Sequence, residues 1–451
     1  MLSVPNIIME LERYGGSAHP GDIVAQWDAI DSYYQRRAEI ELPEAVKGET
    51  GDGASLRRLF IRTNYAKTIV NSTVTMTMAR GVRVYDAAGV RDEAGERLFA
   101  KSDVRKTIRY MSRYGGAWLQ ADKGLPGKPY RVYKPDVARR IMRVEDQEQE
   151  HAVLVIQRFE ALGVGGREYR LARWYEWDDA NTTVRRLDFR NDGGGWVLLP
   201  GKAKQFPYMP FIYVPNREED SIPEQSDLID GVDVFKQYDA LRVKFLKGLE
   251  DEAFRLIFLA NVSEEVASRI RKAGGLQVWH AKNKANEEAP ELQSVAPADL
   301  RQFLDGLKDL VESLATVTRT SVLELNERPV QDIPAQTLRV LYGPQMERCE
   351  ETAEHLSRAL SRVLEIAGRS GFTVQMVPYL PISEDKVHQN LKGLLDSNAY
   401  SAYHLLVDSG KTPVEAQEII DRRMAELGQR LTIQTDQEIR LAKAQPQGSV
   451  E

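Results

Sequence analysis

Cysteine is almost absent: Cys349 is the one thiol in 451 residues, so no internal disulfide forms and no CxxC or zinc-ribbon spacing exists. Redox and cysteine-based metal chemistry are thereby excluded. No run of about 18 apolar residues occurs. The start, Met1-Leu-Ser-Val-Pro-Asn, lacks the basic residues and long apolar core of a secretory signal. A soluble chain that stays in the cytoplasm, without membrane contact, is expected. A basic excess is missing too: 61 Lys and Arg stand against 67 Asp and Glu, a net charge of −6. Domains that grip phosphates by counterion release are normally clearly basic, so any contact with nucleic acid is expected to be weak or local.

Catalytic signatures are lacking as well. The nearest text to a phosphate loop, Gly124-Leu-Pro-Gly127-Lys128-Pro129, has its glycines too close and Pro129 where a hydroxyl would hold magnesium, so it reads as a surface turn. Gly163-Val-Gly165-Gly166 and Gly193-Gly194-Gly195 read as hairpin turns. The six histidines (His19, His151, His280, His355, His388, His404) are scattered, and none belongs to an HExxH pair. Glu350, Glu351 and His355 fall at helical spacing and read as a solvated helix face. Gly368-Arg-Ser370-Gly371 is the nearest approach to a GxSxG elbow and reads as a helix end with its glycine cap. No metal, cofactor or active site is expected.

What is present is a change of period along the chain. Ile23, Trp27, Ile30 and Tyr34, then Leu56, Phe60, Tyr65 and Ile69, recur every three to five residues and predict two early helices. Between residues 115 and 199, short β-branched or aromatic runs (132–133, 153–156, 169–177, 184–189) separated by Gly, Asp and Asn predict an antiparallel sheet. A long helix is expected over 227–253, with Leu228, Val232, Phe235, Tyr238, Leu241, Phe245 and Leu249 on one stripe and Ser226 as N-cap. A second, over 298–318, carries Leu300, Phe303, Leu307, Leu310, Leu314 and Val317. Between them lies a small α/β insert: strands near 254–259 and 276–279 and a short helix near 263–271. Residues 321–336, with Pro329 and Pro334, read as irregular. A third helix follows over 337–367, kinked at Pro344, then a strand at 372–377, a helical segment from Pro381 to about 427 and a polar, frayed tail from 434. The fold class is α+β.

Several local texts in this order resemble the portal proteins of tailed double-stranded DNA bacteriophages of the siphophage type. They are Asn64-Tyr-Ala-Lys67-Thr-Ile-Val70-Asn71 with Met78-Ala-Arg80-Gly81-Val82, Tyr114-Gly-Gly-Ala-Trp118, and Val132-Tyr-Lys-Pro135. The most specific is Phe206-Pro-Tyr-Met-Pro210-Phe-Ile-Tyr-Val-Pro215-Asn216-Arg217, followed by Ser226-Asp-Leu228 and the long helix. The similarity covers about residues 23–367. It departs at Pro334-Ala-Gln-Thr337-Leu338, where the family commonly has Ser-Gly-x-Ala-Leu.

The resemblance implies a non-enzymatic ring, usually of twelve subunits, at one capsid vertex of the virion, assembled in the host cytoplasm. Through it the genome is packaged, retained and ejected, and on it head and tail join. Implied partners are other copies of the chain, a terminase large subunit, a head-completion adaptor, the major capsid and scaffolding proteins, and double-stranded DNA passing through. Carried over by position, residues 1–225 form an α+β wing, 226–253 and 298–320 two stem helices, and 254–297 an α/β clip. Residues 321–336 form a tunnel loop, 337–380 the kinked helix and returning wing strand, 381–428 a helical crown, and 429–451 the tail. The tunnel-loop candidates are Asn326, Glu327, Arg328, Gln331 and Asp332.

A bore that slides DNA is best served by an acidic wall, since each phosphate ion pair is a barrier. Residues 216–233 contain seven acids (Glu218, Glu219, Asp220, Glu224, Asp227, Asp230, Asp233) and one base, Arg217. For Asp227 and Asp230 a helix N-terminus explains the acids equally well. With Asp230 and Asp233, Lys244 and Lys247 are channel-lining candidates; simple surface charge is the alternative. In the insert, Trp279, His280, Lys282 and Lys284 are docking candidates, with an exposed or interface tryptophan favoured over base stacking. Two other classes stay open: an enzyme with a dispersed carboxylate site such as Glu176, Asp178 and Asp179, and an intracellular helical scaffold.

Overall fold

The computed structural model describes residues 2–13, 18–37, 63–121, 128–142, 150–160, 168–178, 182–201, 203–219, 222–253, 257–260, 278–281, 291–294, 300–325, 335–379, 419 and 421–422. Among them helices and strands mix in an α+β arrangement, as the change of period implies. The chain divides into two compact units, Met1–Pro329 with Leu341–Pro378, and Val330–Val340 with Tyr379–Glu451. The sheets and cores belong to the first unit, and the long helix Ala335–Ile366 has only its first six residues in the second.

The largest sheet shows how alternation builds two cores from one layer. Strands β4 (Ala138–Met142), β5 (Glu150–Glu160), β6 (Glu168–Trp177), β7 (Val184–Asn191) and β8 (Trp196–Leu198) pair antiparallel in that order, and β9 (Lys204–Phe206) also pairs with β7. Successive side chains point to opposite faces. Ala152, Leu154, Ile156 and Trp174 therefore meet Ile7 and Leu11 of helix α1 (Val4–Arg13) on one side. Val153, Val155 and Tyr175 meet Trp118 and Phe211 on the other. Gly193-Gly194-Gly195 makes the β7–β8 turn, two of its glycines at positive φ.

Trp118 and Phe211 belong to a second sheet, in which β2 (Gly116–Ala121) lies between β10 (Phe211–Pro215) and β3 (Tyr130–Tyr133). Gly115 explains the Tyr114-Gly-Gly-Ala-Trp118 text. It ends helix α5 (Lys101–Tyr114) at φ 88°, and a Cβ there would lie 1.7 Å from the Ile222 carbonyl oxygen. Behind this sheet the largest core gathers α2 (Gly21–Tyr34), α3 (Tyr65–Thr77), α5 and the long helix α9 (Ala335–Ile366). A short pair, β1 (Val82–Tyr85) with β14 (Thr373–Met376), and the one-turn helix α4 (Glu93–Glu96) complete it. The edge amides of Val374 and Met376 donate to Ser361 and Ser357 on α9 at 2.8 and 3.1 Å, so that strand edge is closed by hydroxyls.

Several expectations shift. The long helix α6 begins at Val232, not 227, and runs to Ala253, about 33 Å at ~1.5 Å per residue. A 3₁₀ turn, Ile229–Gly231, precedes it. Ser226 is not its N-cap: its hydroxyl accepts from the Leu228 amide at 3.1 Å and donates to the Arg113 carbonyl at 2.8 Å, binding the chain to the end of α5. The next helix, α7, spans Arg301–Val317 and stops where Arg319 takes φ 47°, a left-handed conformation unusual outside glycine. Part of the expected irregular stretch is helical: α8 covers Val322–Leu325, and α9 starts at Ala335 and continues through Pro344. Of the early helices, Gly21–Tyr34 is present, whereas Leu56 and Phe60 lie outside the described residues.

Candidate functional site, the helix pair and its buried polar base

Helices α6 and α7 run antiparallel, and glycines set their spacing. A Cβ at Gly248 would lie 2.8 Å from Leu300 Cδ2, one at Gly306 3.1 Å from Leu241 Cδ2, and one at Gly231 3.1 Å from Leu314 Cδ1. The stripes foreseen for each helix thus face one another. Between the two helices lies the foreseen insert, whose described residues form a three-stranded sheet, one strand more than expected. In it β11 (Ile257–Ala260) pairs parallel with β12 (Val278–Ala281) and antiparallel with β13 (Glu291–Ser294).

Where the pair meets the body, a polar cluster is sealed from solvent. Asp227 is 1% exposed and Arg348, on α9, 0%. One Asp227 oxygen accepts from Asn216 Nδ2 at 2.9 Å and Arg217 Nη2 at 3.3 Å. The other accepts from Ser112 Oγ and from Thr73 Oγ1 and lies 3.8 Å from Arg348 Nε. Arg348 also donates to Thr73 Oγ1 at 2.7 Å, to Thr320 Oγ1 at 3.2 Å and to the Thr318 carbonyl at the end of α7. Gln345, one turn earlier, accepts from the Ser321 amide at 2.8 Å and donates to Ser72. Thr352, one turn later, donates to Asn216 Oδ1 at 3.0 Å.

Burial pushes the Asp227 carboxyl up, but Arg348, Arg217, Ser112 and Asn216 together outweigh it and hold it below the ordinary carboxylate value. A charge sealed in this way is tolerable only while paired. The cluster therefore ties the start of α6 and the end of α7 to α3, α5 and α9 at one point. Beside it Cys349 is buried, and burial pushes its thiol up to about 11, which makes it unreactive.

The foreseen site residues fall into three groups. Asp230 and Asp233 are exposed, Asp230 3.9 Å from Arg217 and Asp233 3.1 Å from Lys236, and Lys244 is exposed on the same helix. Asp227 and Arg217 do not belong to an acidic surface at all, since both are consumed by the buried cluster. Lys247 lies on α6, and Trp279 and His280 on β12, with side chains outside the described residues. Lys282, Lys284, Asp179, the tunnel-loop candidates Asn326, Glu327, Arg328, Gln331 and Asp332, the insert's short helix and nearly all of 381–451 also lie outside them.

Of the dispersed carboxylates, the two described ones are each engaged by neighbours of their own. Glu176 is buried on β6 against Arg185 at 2.6 Å, and Asp178 holds a turn by accepting from Thr182 and Thr183. Those turn hydrogen bonds hold Asp178 down to about 2. The sequence reading missed Arg348, Gln345 and Thr352. Their signal was weak: on α9 Gln345, Arg348 and Thr352 recur at helical spacing among the buried Tyr342, Cys349 and Ala353, polar residues set in an apolar stripe.

No family model and no curated protein matches this chain. Among solved structures it is similar to a chain of the virion of a native gene transfer agent particle, 14% identical over 87% of this chain and 99% of that one, TM-score 0.44. A chain of the neck of the empty particle, computed with C6 symmetry, is 12% identical over 81% and 95%, TM-score 0.45. One of the native particle's neck, computed with C12 symmetry, is 13% identical over 81% and 94%, TM-score 0.43.

Proposed function

We propose that the chain is a portal-type subunit: a non-catalytic component of a closed ring whose bore passes double-stranded DNA at one vertex of a virion. One observation carries this reading. Two antiparallel helices project from an α+β body, joined by a small sheet at one end and locked into the body by a buried charged cluster at the other. Such a hairpin suits a stem. It is stiffened by close glycine contacts, fixed at its base, and still carries half-covered apolar side chains such as Phe245 and Leu307 toward its far end.

On this reading residues 1–225 act as wing, 254–297 as clip and 321–336 as tunnel loop, with Asn326, Glu327, Arg328, Gln331 and Asp332 touching DNA without gripping it. The exposed Glu218, Glu219, Asp230 and Asp233 supply the acidic surface that a sliding polyanion requires, and Lys244 and Lys247 sparse positive points. Trp279, His280, Lys282 and Lys284 present a docking edge to a packaging ATPase and then to a neck adaptor. Light scattering after size exclusion tests the assembly: a ring near twelve times 51.0 kDa is expected, with a central bore in negative-stain images. Monomers or compact dimers at micromolar concentration across a salt series would overturn it.

A further inference from the structure

A cleft of about 550 Å³ lies between the end of α3 and the start of α5. Gly81, at φ 73°, turns the chain from α3 toward β1, and Arg80 lines this cleft together with Lys101 and Arg105 of α5. Its apolar part is Phe99 and Met78, both buried. Five basic side chains line it, Arg80, Arg91, Arg97, Lys101 and Arg105, against two carboxylates, Glu93 and Glu96. Both carboxylates are engaged. Glu96 accepts from Arg91 Nε at 2.8 Å and Nη2 at 3.1 Å, and Glu93 stands 3.8 Å from Arg97. Among the described residues Lys101 and Arg105 have no ionic partner.

Those two cations occupy an unfavourable place. One helical turn apart on α5, they share a face and repel. Lys101 also stands at the helix's positive end, where acids are favoured. The one acid in that turn, Asp103, pairs with Lys128 at 2.8 Å instead. The N-cap position, Ala100, supplies no side-chain acceptor. Nothing in the helix itself rewards Lys101 and Arg105; an anion in the cleft would.

We propose that this cleft binds an oxyanion of the phosphate class, held by Lys101 and Arg105 together with Arg80, which lines the same cleft. Its volume lies within the range of small-ligand pockets. Guanidinium forks match phosphate oxygens better than any other side chain does. All the lining residues come from one chain, so the site does not depend on ring assembly. The same chemistry is offered by free polyphosphate and by a nucleic-acid backbone.

Titration calorimetry of the full chain with pyrophosphate, at constant ionic strength, tests this. Saturable one-to-one binding is expected, weakened at least tenfold in the Lys101→Gln, Arg105→Gln double variant and unchanged in a Lys236→Gln, Lys308→Gln control. Thermal melts supply a second readout: in chloride the double variant should melt no lower than the parent, because repulsion is relieved, and pyrophosphate should raise the melting temperature of the parent alone. Displacement of pyrophosphate by a twelve-base-pair duplex assigns the source to nucleic acid, and failure of the duplex to displace it assigns free polyphosphate. The proposal falls if binding does not saturate, if the double variant binds equally, or if hexaglutamate displaces pyrophosphate more effectively than phosphate compounds do.

Discussion

The two ends of the α6–α7 pair carry the same kind of apolar stripe and meet different fates. At the base Leu228, Phe235, Val311 and Leu314 are at most 5% exposed, packed among α2, α3 and α9. At the far end Leu249 is 41% and Leu304 43% exposed. Phe245, Leu246, Phe303 and Leu307 are half-buried there. Helical period alone does not distinguish these ends, because burial depends on what else arrives. At the base three other helices and a sealed charge cluster arrive; at the far end, among the described residues, only the opposite helix does.

The sharpest way to break this contrast is at the base. Asp227→Ala leaves Arg348 and Arg217 buried without their carboxylate and should cost about 3–5 kcal/mol in urea unfolding, the scale for orphaning a buried charge. Acid should act in the same direction. The Asp227 carboxyl is lowered in the folded state, so its contribution is full above the unfolded value near ~4 and is lost as pH falls through the lower folded value. The acid limb of the stability profile should be shallower in Asp227→Ala; equal limbs would show that the cluster carries no linkage.

A smaller effect is expected along the seam. Gly248→Val drives a side chain into Leu300 and should cost about 1–3 kcal/mol by overpacking, less if the far end can open. A cost near zero would mean that the two helices part freely there, and thermal melts of the variant decide it.

The smallest stability change belongs to the far end itself. The pair Leu249→Ser and Leu304→Ser removes exposed apolar surface and should leave unfolding free energy within about 0.5 kcal/mol. It should instead lower the yield of higher assemblies in light scattering. Destabilisation comparable to Asp227→Ala would erase the distinction between the two ends.

Much of this arrangement was legible along the chain. The β-branched and aromatic runs at 153–156 and 169–177 foretold the sheet, the two stripes foretold α6 and α7, and the short strand-like runs between them foretold the insert. The start of α6 was misplaced for a definite reason. Ser226-Asp227 before an apolar stripe is the local signature of a capped helix start, and that signature is indifferent to whether the carboxylate faces amides or a buried guanidinium. The acidic count over 216–233 failed likewise at Asp227 and Arg217, where charge in sequence became neutral pairing in the interior.

What the sequence determined by itself is periodic: which segments coil, which extend, and where glycine must turn. These follow from steric and hydrophobic rules acting over a few residues. Tertiary structure alone decided that Arg348 reaches Asp227, that Glu176 is locked by Arg185, and that Lys101 and Arg105 share a cleft with Arg80. Each of these depends on groups from different elements meeting where water is excluded or displaced. Coulombic and hydrogen-bond energies become large only there, and no local pattern records which distant partner fills the place.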